Sequence, residues 1–265
     1  MVRDKQQKQS KHGKHSKHPR PPLAPTKPKT KKTSKNQNNN NVVLVEEATT
    51  PSQQLSFFLN YYQSSNKIQL SSLELDSFKD SCIAELPKEL AQDASNLSEH
   101  MKTAFGQSWR HELCEKQIVP EKIEPGNPAL LVISLSALRS LELYRGLRPL
   151  SKECHIVKLF SKHMKVEDQV SSLKSRVNIA SGTPSRIKKL IDMEVLGLSR
   201  LQIIVLDMHT DVKGYSLLSL PQIRDEFWDL YKCYFHQRVL KGDLRICLYG
   251  PTPVIYKGKK NIIDK

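Results

Sequence analysis

The sequence has no apolar run approaching the roughly 20 residues that a membrane-spanning helix needs. Its amino-terminal region is positively charged but lacks an apolar core segment, so we do not expect a secretory signal peptide. The five cysteines form no C-x-x-C pair, and their odd number argues against a disulfide framework. These absences predict a protein that does not span a membrane and that resides in a reducing compartment, the cytosol or the nucleus.

Glycine is also scarce, with ten residues in the chain, and none belongs to a G-x-x-x-x-G-K-[ST] phosphate loop. The nearest glycine-containing turn, at residues 105–108, has no following Gly-Lys-Thr. We therefore expect no nucleotide cofactor and no small-molecule substrate. His12, His15 and His18 recur among lysines, whose positive charge opposes metal binding, so no metal site is predicted either.

Positive charge is abundant and concentrated in one region. Residues 1–35 contain twelve Lys or Arg and one acid, so they contribute +11 of the formal net charge of +15. Such a basic segment favours a phosphate-rich partner, and it lacks the apolar face with which an interfacial helix enters a membrane. RNA is therefore the predicted partner, and the lysines of the densest cluster are candidate RNA contacts: Lys27, Lys29, Lys31, Lys32 and Lys35. A solvated extension without a specific partner is the alternative.

The chain divides into four predicted segments. Residues 1–50 have the composition of a disordered basic tail. Residues 51–120 carry apolar stripes at helical spacing, interrupted at Pro87, and are predicted to form a helical segment that packs on the domain that follows. Residues 125–256 form the main domain, and residues 257–265 are a basic carboxyl-terminal end with Lys257, Lys259 and Lys260.

The main domain alternates strand-like and helix-like stretches. Apolar runs at 129–135, 154–160, 176–180, 201–207 and 243–249 predict five strands, separated by helical patterns. Strands that are apolar on both faces indicate a parallel sheet covered by helices on both sides. The predicted fold class is therefore α/β, a single doubly wound parallel sheet. The aromatic residues of 227–235 lie at helical spacing, which is typical of core packing rather than base stacking.

Ligands of such folds bind beyond the carboxyl ends of the strands. After the third strand, Thr183 and Pro184 suit the start of a helix, whose free N–H groups attract phosphate, and Arg186 can add a charged contact. After the fourth strand, Asp207 stands where an acid could hold a magnesium ion. The alternative interpretations are an ordinary capped helix and an acid that caps a turn.

The stretches NIASGTPSRI and IIVLDMHTDV resemble, in order and separation, the RNA-contacting T-P-G-R and the D-E-A-D motifs in the first RecA-like domain of DEAD-box RNA helicases. By this resemblance, Thr183 and Arg186 correspond to RNA-contacting positions, and Asp207 is a remnant of the magnesium-binding acid. Arg139 is a further candidate RNA contact, three positions later than the family's arginine. Met208 replaces the catalytic Glu, and the chain has no S-A-T motif and no second RecA-like lobe. The resemblance therefore implies a pseudo-helicase that is not an enzyme.

Five stretches, taken in order, resemble the Cms-type subunits of the U3-containing 90S pre-ribosomal complex. They read FGQSWRHEL, VISLSALRSLELYRGLRPL, KLFSKHMKVEDQV, IASGTPSRIKKLI and IIVLDMHTDVKG. This resemblance implies a nuclear, nucleolar factor of small-subunit ribosome assembly that contacts pre-ribosomal RNA and other assembly proteins. Two alternatives stay open. One is a protein-interaction scaffold whose α/β domain touches no RNA, and the other is a nucleotide-dependent enzyme with an atypical phosphate site.

Overall fold

The structure, a computed structural model, describes residues 41–115 and 124–259. The first long helix, α1, spans Pro51–Asn66. Thr50 caps it, because its hydroxyl accepts the N–H of Gln53 while the Gln53 side chain accepts the N–H of Thr50. The helix ends at Lys67, which adopts a left-handed conformation with φ of 55°. A short helix, α2, covers Ser72–Asp76, and α3 covers Leu97–Phe105.

The main sheet has five parallel strands: β2 (Leu130–Ile133), β3 (Ile156–Leu159), β4 (Ile179–Gly182), β5 (Ile203–Asp207) and β6 (Arg245–Tyr249). Their order across the sheet is β3-β4-β2-β5-β6, so β2 is central and the chain winds outward to both sides of it. The connecting helices are α4 (Ala137–Gly146), α5 (Val166–Leu173), α6 (Pro184–Asp192), α7 (Pro221–Leu230) and α8 (His236–Leu240). The predicted doubly wound α/β fold is thereby confirmed.

Two apolar clusters, one on each face of the sheet, form the core. Alternate strand residues such as Leu131 and Ile204 pack with α1, α6 and α7, whereas Leu130 and Ile203 pack with α3 and α4. The aromatic residues of α7 and the π-helical turn Tyr231–Phe235 belong to the first cluster. Phe227, Trp228, Tyr231 and Phe235 are at most 2% exposed, which confirms the core interpretation for these four, whereas Tyr234 is half-buried.

A separate two-stranded antiparallel sheet joins β1 (Asn41–Glu47) to β7 (Pro253–Lys259). Strand β1 lies inside residues 1–50, which were predicted to be a disordered tail, so that boundary was placed too late in the chain. The cause is visible in the sequence, because residues 42–45 read Val-Val-Leu-Val, a strand-forming run that follows a polar stretch. Likewise, β7 includes Lys257 and Lys259, which were assigned to the basic carboxyl-terminal end.

The helical segment predicted for residues 51–120 is only partly helical. Between α2 and α3 the structure has a 3₁₀ turn at Asp80–Cys82, a non-helical stretch, and a second 3₁₀ turn at Ala94–Asn96. Ile83 instead forms a parallel bridge to Ile246, and the Ala84 N–H donates to the Ile246 carbonyl at 2.8 Å. The outer edge of β6 therefore gains a short extended segment where helical spacing had predicted a helix.

The cysteine pattern argued against a disulfide framework, yet the structure contains one disulfide. Cys114, in the π-helical turn His111–Glu115, is bonded to Cys154, just before β3. The two residues are 40 positions apart and carry no spacing motif, so the sequence offered no signal for this pair. Cys82 and Cys247 are buried thiols, and Cys233 is an exposed one.

Candidate functional site

The carboxyl edge of the parallel sheet brings together three of the residues singled out from the sequence. Arg139 lies in the first turn of α4, which follows β2. Thr183 follows β4 and precedes α6, and Asp207 is the last residue of β5. Because β4, β2 and β5 are neighbours, their carboxyl ends meet at one crevice, as expected for a doubly wound sheet.

Asp207 and Arg139 form an ion pair in this crevice. The Arg139 Nε donates to Asp207 Oδ2 at 2.9 Å and its Nη2 donates to Oδ1 at 3.0 Å, so the contact is bidentate. The Asp207 side chain is fully buried and that of Arg139 is 16% exposed. Burial by itself lowers the pKa of Arg139, but the hydrogen bonds and charges of Asp207 and Glu142 outweigh it and raise that pKa. Both carboxylate oxygens that could hold a magnesium ion therefore already accept hydrogen bonds from an internal cation.

His209 completes this cluster, and sequence reasoning missed it. Its Nδ1 lies 2.8 Å from Asp207 Oδ1 and 3.0 Å from Arg139 Nη2. Arginine can only donate, so when Nδ1 carries a proton the hydrogen bond is the one to Asp207. The only signal in the sequence was the Asp-x-His spacing at the end of an apolar strand.

Gly250 makes room for the His209 ring. This residue follows β6 with φ of +112°, and a Cβ at this position would lie 2.6 Å from His209 Nδ1. The position therefore requires glycine both for its backbone conformation and for the close approach of the imidazole. Its N–H donates to Gln92 Oε1 at 2.7 Å, which ties the end of β6 to the segment that precedes α3.

Thr183 and Arg186 differ in what they leave available for a ligand. Thr183 is extended, its side chain caps nothing, and Pro184 starts α6, so the first N–H groups of the helix are not occupied by that hydroxyl. The Arg186 guanidinium donates to Gln169 Oε1 at 2.6 Å and to the Met164 carbonyl at 3.3 Å. Arg186 is thus half-buried and bound to the loop and helix that follow β3.

Gln169 connects Arg186 to the end of β3. It is 1% exposed, and its Nε2 donates to the carbonyls of Lys158 and Phe160, both at 2.9 Å. These carbonyls belong to the end of the edge strand β3 and the residue just after it. Arg186 therefore orients the side chain that covers this edge.

A cavity of about 600 Å³ opens beside His209. One wall is the start of α1 with Thr49 and Gln54, another is the segment 85–92, and the third is Gly250 to Thr252. The segment 85–92 has no glycine and contains Lys88 as its single basic residue. This cavity was not anticipated, because the segment that lines it was predicted to be helical.

The candidate lysines between Lys27 and Lys35 and the histidines His12, His15 and His18 lie outside the described residues. Within residues 41–115 and 124–259, no group of three or more His, Cys, Asp or Glu side chains could hold a metal ion. In those same ranges no helix has the length and apolar character to cross a bilayer.

The fold and this edge define the chain as a doubly wound α/β protein in which an arginine holds the acid at the end of β5. The chain belongs to the family described as CMS1: U3-containing 90S pre-ribosomal complex subunit, whose profile matches residues 1–249. Membership supports a role in ribosome biogenesis and confirms the family resemblance noted from the sequence.

Several relatives support this assignment. The chain is 33% identical over 183 residues to Protein CMSS1 of Homo sapiens, and this match covers 67% of the chain and 60% of the relative. Protein CMSS1 of Xenopus laevis is 30% identical over 185 residues, covering 68% and 67%. Protein CMS1 of Chaetomium thermophilum is 37% identical over 100 residues, covering 37% and 40%. The matched part thus spans about 60 to 67% of the length of the two vertebrate relatives.

Two solved structures are similar to part of the chain, and one of them is a DEAD-box splicing factor. The yeast splicing factor Prp28 overlaps 49% of this chain and 30% of its own, at a TM-score of 0.36 and 13% identity. The S. cerevisiae dbp5 l327v structure, bound to nup159, gle1 h337r, ip6 and adp, overlaps 72% and 45%, at a TM-score of 0.38 and 12% identity. These scores are low, and the fold assignment depends on the sheet topology instead.

Proposed function

We propose that this protein is a non-catalytic RNA-associated factor of small-subunit ribosome biogenesis, acting on pre-rRNA in the nucleolus together with other pre-ribosomal assembly proteins. Membership of a 90S pre-ribosomal subunit family supports the setting. The basic region 1–35 supports RNA as a partner, because a run of lysines gains affinity by releasing the counterions of phosphates.

The observation that carries the non-catalytic part is the Arg139–Asp207 pair. Phosphoryl transfer needs an acid that holds Mg²⁺ and a residue that positions water. Here both oxygens of Asp207 bind Arg139, and the next residue, Met208, is 3% exposed and has no acid or base. A magnesium ion at Asp207 would have to displace a bidentate guanidinium from a buried site, which is costly.

The engagement of Arg139 and Arg186 favours a second candidate function. Both arginines donate to groups within the domain. If neither guanidinium leaves its internal partner when RNA binds, the only groups that the carboxyl edge offers to RNA are Thr183 and the start of α6. The α/β domain would then act as a protein-docking scaffold, with the tail supplying the RNA contact.

The test uses the full chain with Lys27, Lys29, Lys31, Lys32 and Lys35 all changed to Gln. Binding to a labelled single-stranded RNA is measured by fluorescence anisotropy between 50 and 200 mM salt. We expect weaker binding and a slope of log K against log salt that is smaller by about 3.5, since five phosphate contacts each contribute about 0.7. The matched control changes His12, His15 and His18 to Asn and leaves the lysines in place.

Two results would contradict the proposal. An unchanged affinity and slope in the five-lysine variant would remove the tail from the RNA contact. RNA-stimulated release of phosphate from ATP by the wild-type chain, absent in Asp207→Asn, would show that the domain is an enzyme.

A further inference from the structure

A second concave site lies at the opposite, amino edge of the sheet. It is an open depression with a volume of about 460 Å³ at the start of β3, and it is lined by Tyr144, Lys152, His155 and Arg176, among others. None of these residues belongs to the carboxyl-edge cluster of Arg139, Asp207 and His209. The depression is therefore a surface that the family's helicase-like motifs do not describe.

The depression is electropositive. Lys152 is an exposed residue of the lining, and Lys158, which is not in the lining, has its Nζ 4.6 Å from the centre of the ring of the lining residue Tyr144. The acid in its lining, Glu153, is paired in bidentate fashion with Arg110, at 2.5 and 2.8 Å. Because Arg110 neutralises that carboxylate, Lys152 and Lys158 make the local field positive.

The walls of the depression are held in place by buried contacts. Asn178 is fully buried, and its side chain accepts the His155 N–H at 2.8 Å and donates to the Leu113 carbonyl at 2.8 Å. The Arg176 guanidinium donates to the Cys114 carbonyl, and Cys114 is bonded to Cys154 in the lining. The site is thus organised before any ligand arrives, which lowers the entropic cost of binding.

Tyr144 supplies the second recognition element. Its ring is half-buried and lines the depression, with a lysine ammonium against the ring. An aromatic ring between basic groups is the arrangement with which proteins hold unpaired nucleotides, since the base stacks and the phosphate pairs with lysine. A duplex keeps its bases stacked inside, whereas a single strand can place one base in a concavity.

We propose that this depression binds one nucleotide unit of single-stranded RNA, with the base against Tyr144 and the phosphate between Lys152 and Lys158. This proposal rests on the proposed function, because it assumes that the protein binds RNA. It adds that the RNA is single-stranded and that the α/β domain contacts it in this depression. It also gives the α/β domain an RNA contact that does not require Arg139 or Arg186 to leave its internal partners.

The experiment measures binding of a fluorescent ten-nucleotide uridine RNA to the full chain at 50 to 200 mM salt. We expect Tyr144→Ala to weaken binding at least about fivefold at 100 mM salt, and Tyr144→Phe to bind like the wild type. The double variant Lys152→Gln with Lys158→Gln should reduce the salt slope by about 0.7, the value for the one phosphate that the two lysines share. Each variant is first checked for an unchanged melting temperature.

The matched controls are Tyr215→Ala and the double variant Lys232→Gln with Lys241→Gln. These change an exposed tyrosine and two exposed lysines away from the depression, and their RNA affinity should stay at the wild-type value. A direct readout uses RNA that contains 4-thiouridine, which should crosslink to the peptide containing Tyr144 after irradiation.

The outcomes separate this proposal from the proposed function. Normal RNA binding by Tyr144→Ala, with crosslinks confined to other peptides, would overturn the pocket and leave the RNA-associated function standing. No RNA binding by the wild type at 50 mM salt would overturn both. Uridine monophosphate that competes as well as the ten-nucleotide strand would assign the site to free nucleotides instead, and displacement by a glutamate decapeptide at matched charge would assign it to acidic protein.

Discussion

The guanidinium of Arg139 contacts three side chains at once. It pairs with Asp207 through two nitrogens, lies 3.0 Å from His209 Nδ1, and reaches Glu142 Oε2 at 2.9 Å. These partners differ in exposure, since Asp207 is fully buried whereas 56% of the Glu142 side chain is exposed. A buried charge that loses its partner is costly, while an exposed pair contributes little.

We therefore expect Arg139→Met to lower the free energy of unfolding by about 3 kcal/mol, because Asp207 would remain buried without its counter-charge. Glu142→Gln, the matched change at the exposed partner, should alter the free energy of unfolding by less than about 0.5 kcal/mol. Urea unfolding followed by tryptophan fluorescence measures both. Adding Asp207→Asn to Arg139→Met should recover part of the loss, and equal stability of Arg139→Met and wild type would disprove the structural role of the pair.

Sequence reasoning reached both members of this pair without predicting that they meet. Asp207 was identified as the end of an apolar strand, and Arg139 through the helicase resemblance, three positions later than the family's arginine. Their contact spans 68 positions and depends on β2 and β5 being neighbours, which no local pattern encodes. For the same reason Arg186 could be identified as a candidate contact, while its bond to Gln169 could not.

At the scale of elements, α4 lies unusually close to the turn that precedes α3. Gly146, the last residue of α4, is placed so that a Cβ would lie 1.7 Å from the carbonyl oxygen of Ala94. The 3₁₀ turn at Ala94–Asn96 ends the segment that lines the cavity beside His209. The packing of α4 therefore holds one end of that cavity wall in position.

Gly146→Ala tests this contact, because two effects on stability oppose each other. Helix propensity alone would stabilise the protein by about 1 kcal/mol, since Gly146 has no left-handed conformation to preserve. The overlap with the Ala94 carbonyl should outweigh that gain and leave a net loss of about 2 kcal/mol in the free energy of unfolding. Arg145→Ala, at an exposed neighbouring position of the same helix, should change it by less than about 0.5 kcal/mol in the same urea titration. A stabilised Gly146→Ala would mean that α4 and the turn are not in close contact.

The strands of the main sheet were predictable because each is apolar on both faces. Four of the five lie within the predicted runs, and β4 ends two residues beyond its predicted run. The segment between α2 and α3 was not predictable. Cys82, Leu86 and Leu90 repeat every fourth residue as in a helix, yet Ile83 pairs with β6 and Pro87 interrupts any helix. Tertiary pairing with an open strand edge therefore determined this conformation.

At the scale of the whole molecule, the described domain has a cavity at the carboxyl edge and an electropositive depression at the amino edge. The first contains Glu47 and Glu85 besides Lys88 and has Asp207 nearby, already paired. Among the described residues that line the second, the one acid, Glu153, is paired to Arg110. Phosphate groups are therefore favoured at the amino edge rather than in the crevice where doubly wound folds usually bind ligands. This distribution supports the proposal that the domain contacts RNA without hydrolysing a nucleotide.

The corresponding prediction concerns nucleotide binding by the full chain. A ligand that binds only the folded state raises stability by RT ln(1 + [L]/Kd), so 5 mM magnesium ATP with a Kd of 0.5 mM would add about 1.4 kcal/mol. For a protein of this size, that corresponds to a rise of roughly 3 to 5 °C in Tm. Because Asp207 is held by Arg139 and the segment 85–92 offers no glycine-rich backbone to phosphates, we expect a shift below about 1 °C. Differential scanning fluorimetry with magnesium ATP measures it, with magnesium chloride and sodium sulfate at matched ionic strength as the control. A rise of several degrees with magnesium ATP alone, kept in Tyr144→Ala and lost in Asp207→Asn, would show that the crevice still binds nucleotide and that Arg139 gives way to the metal.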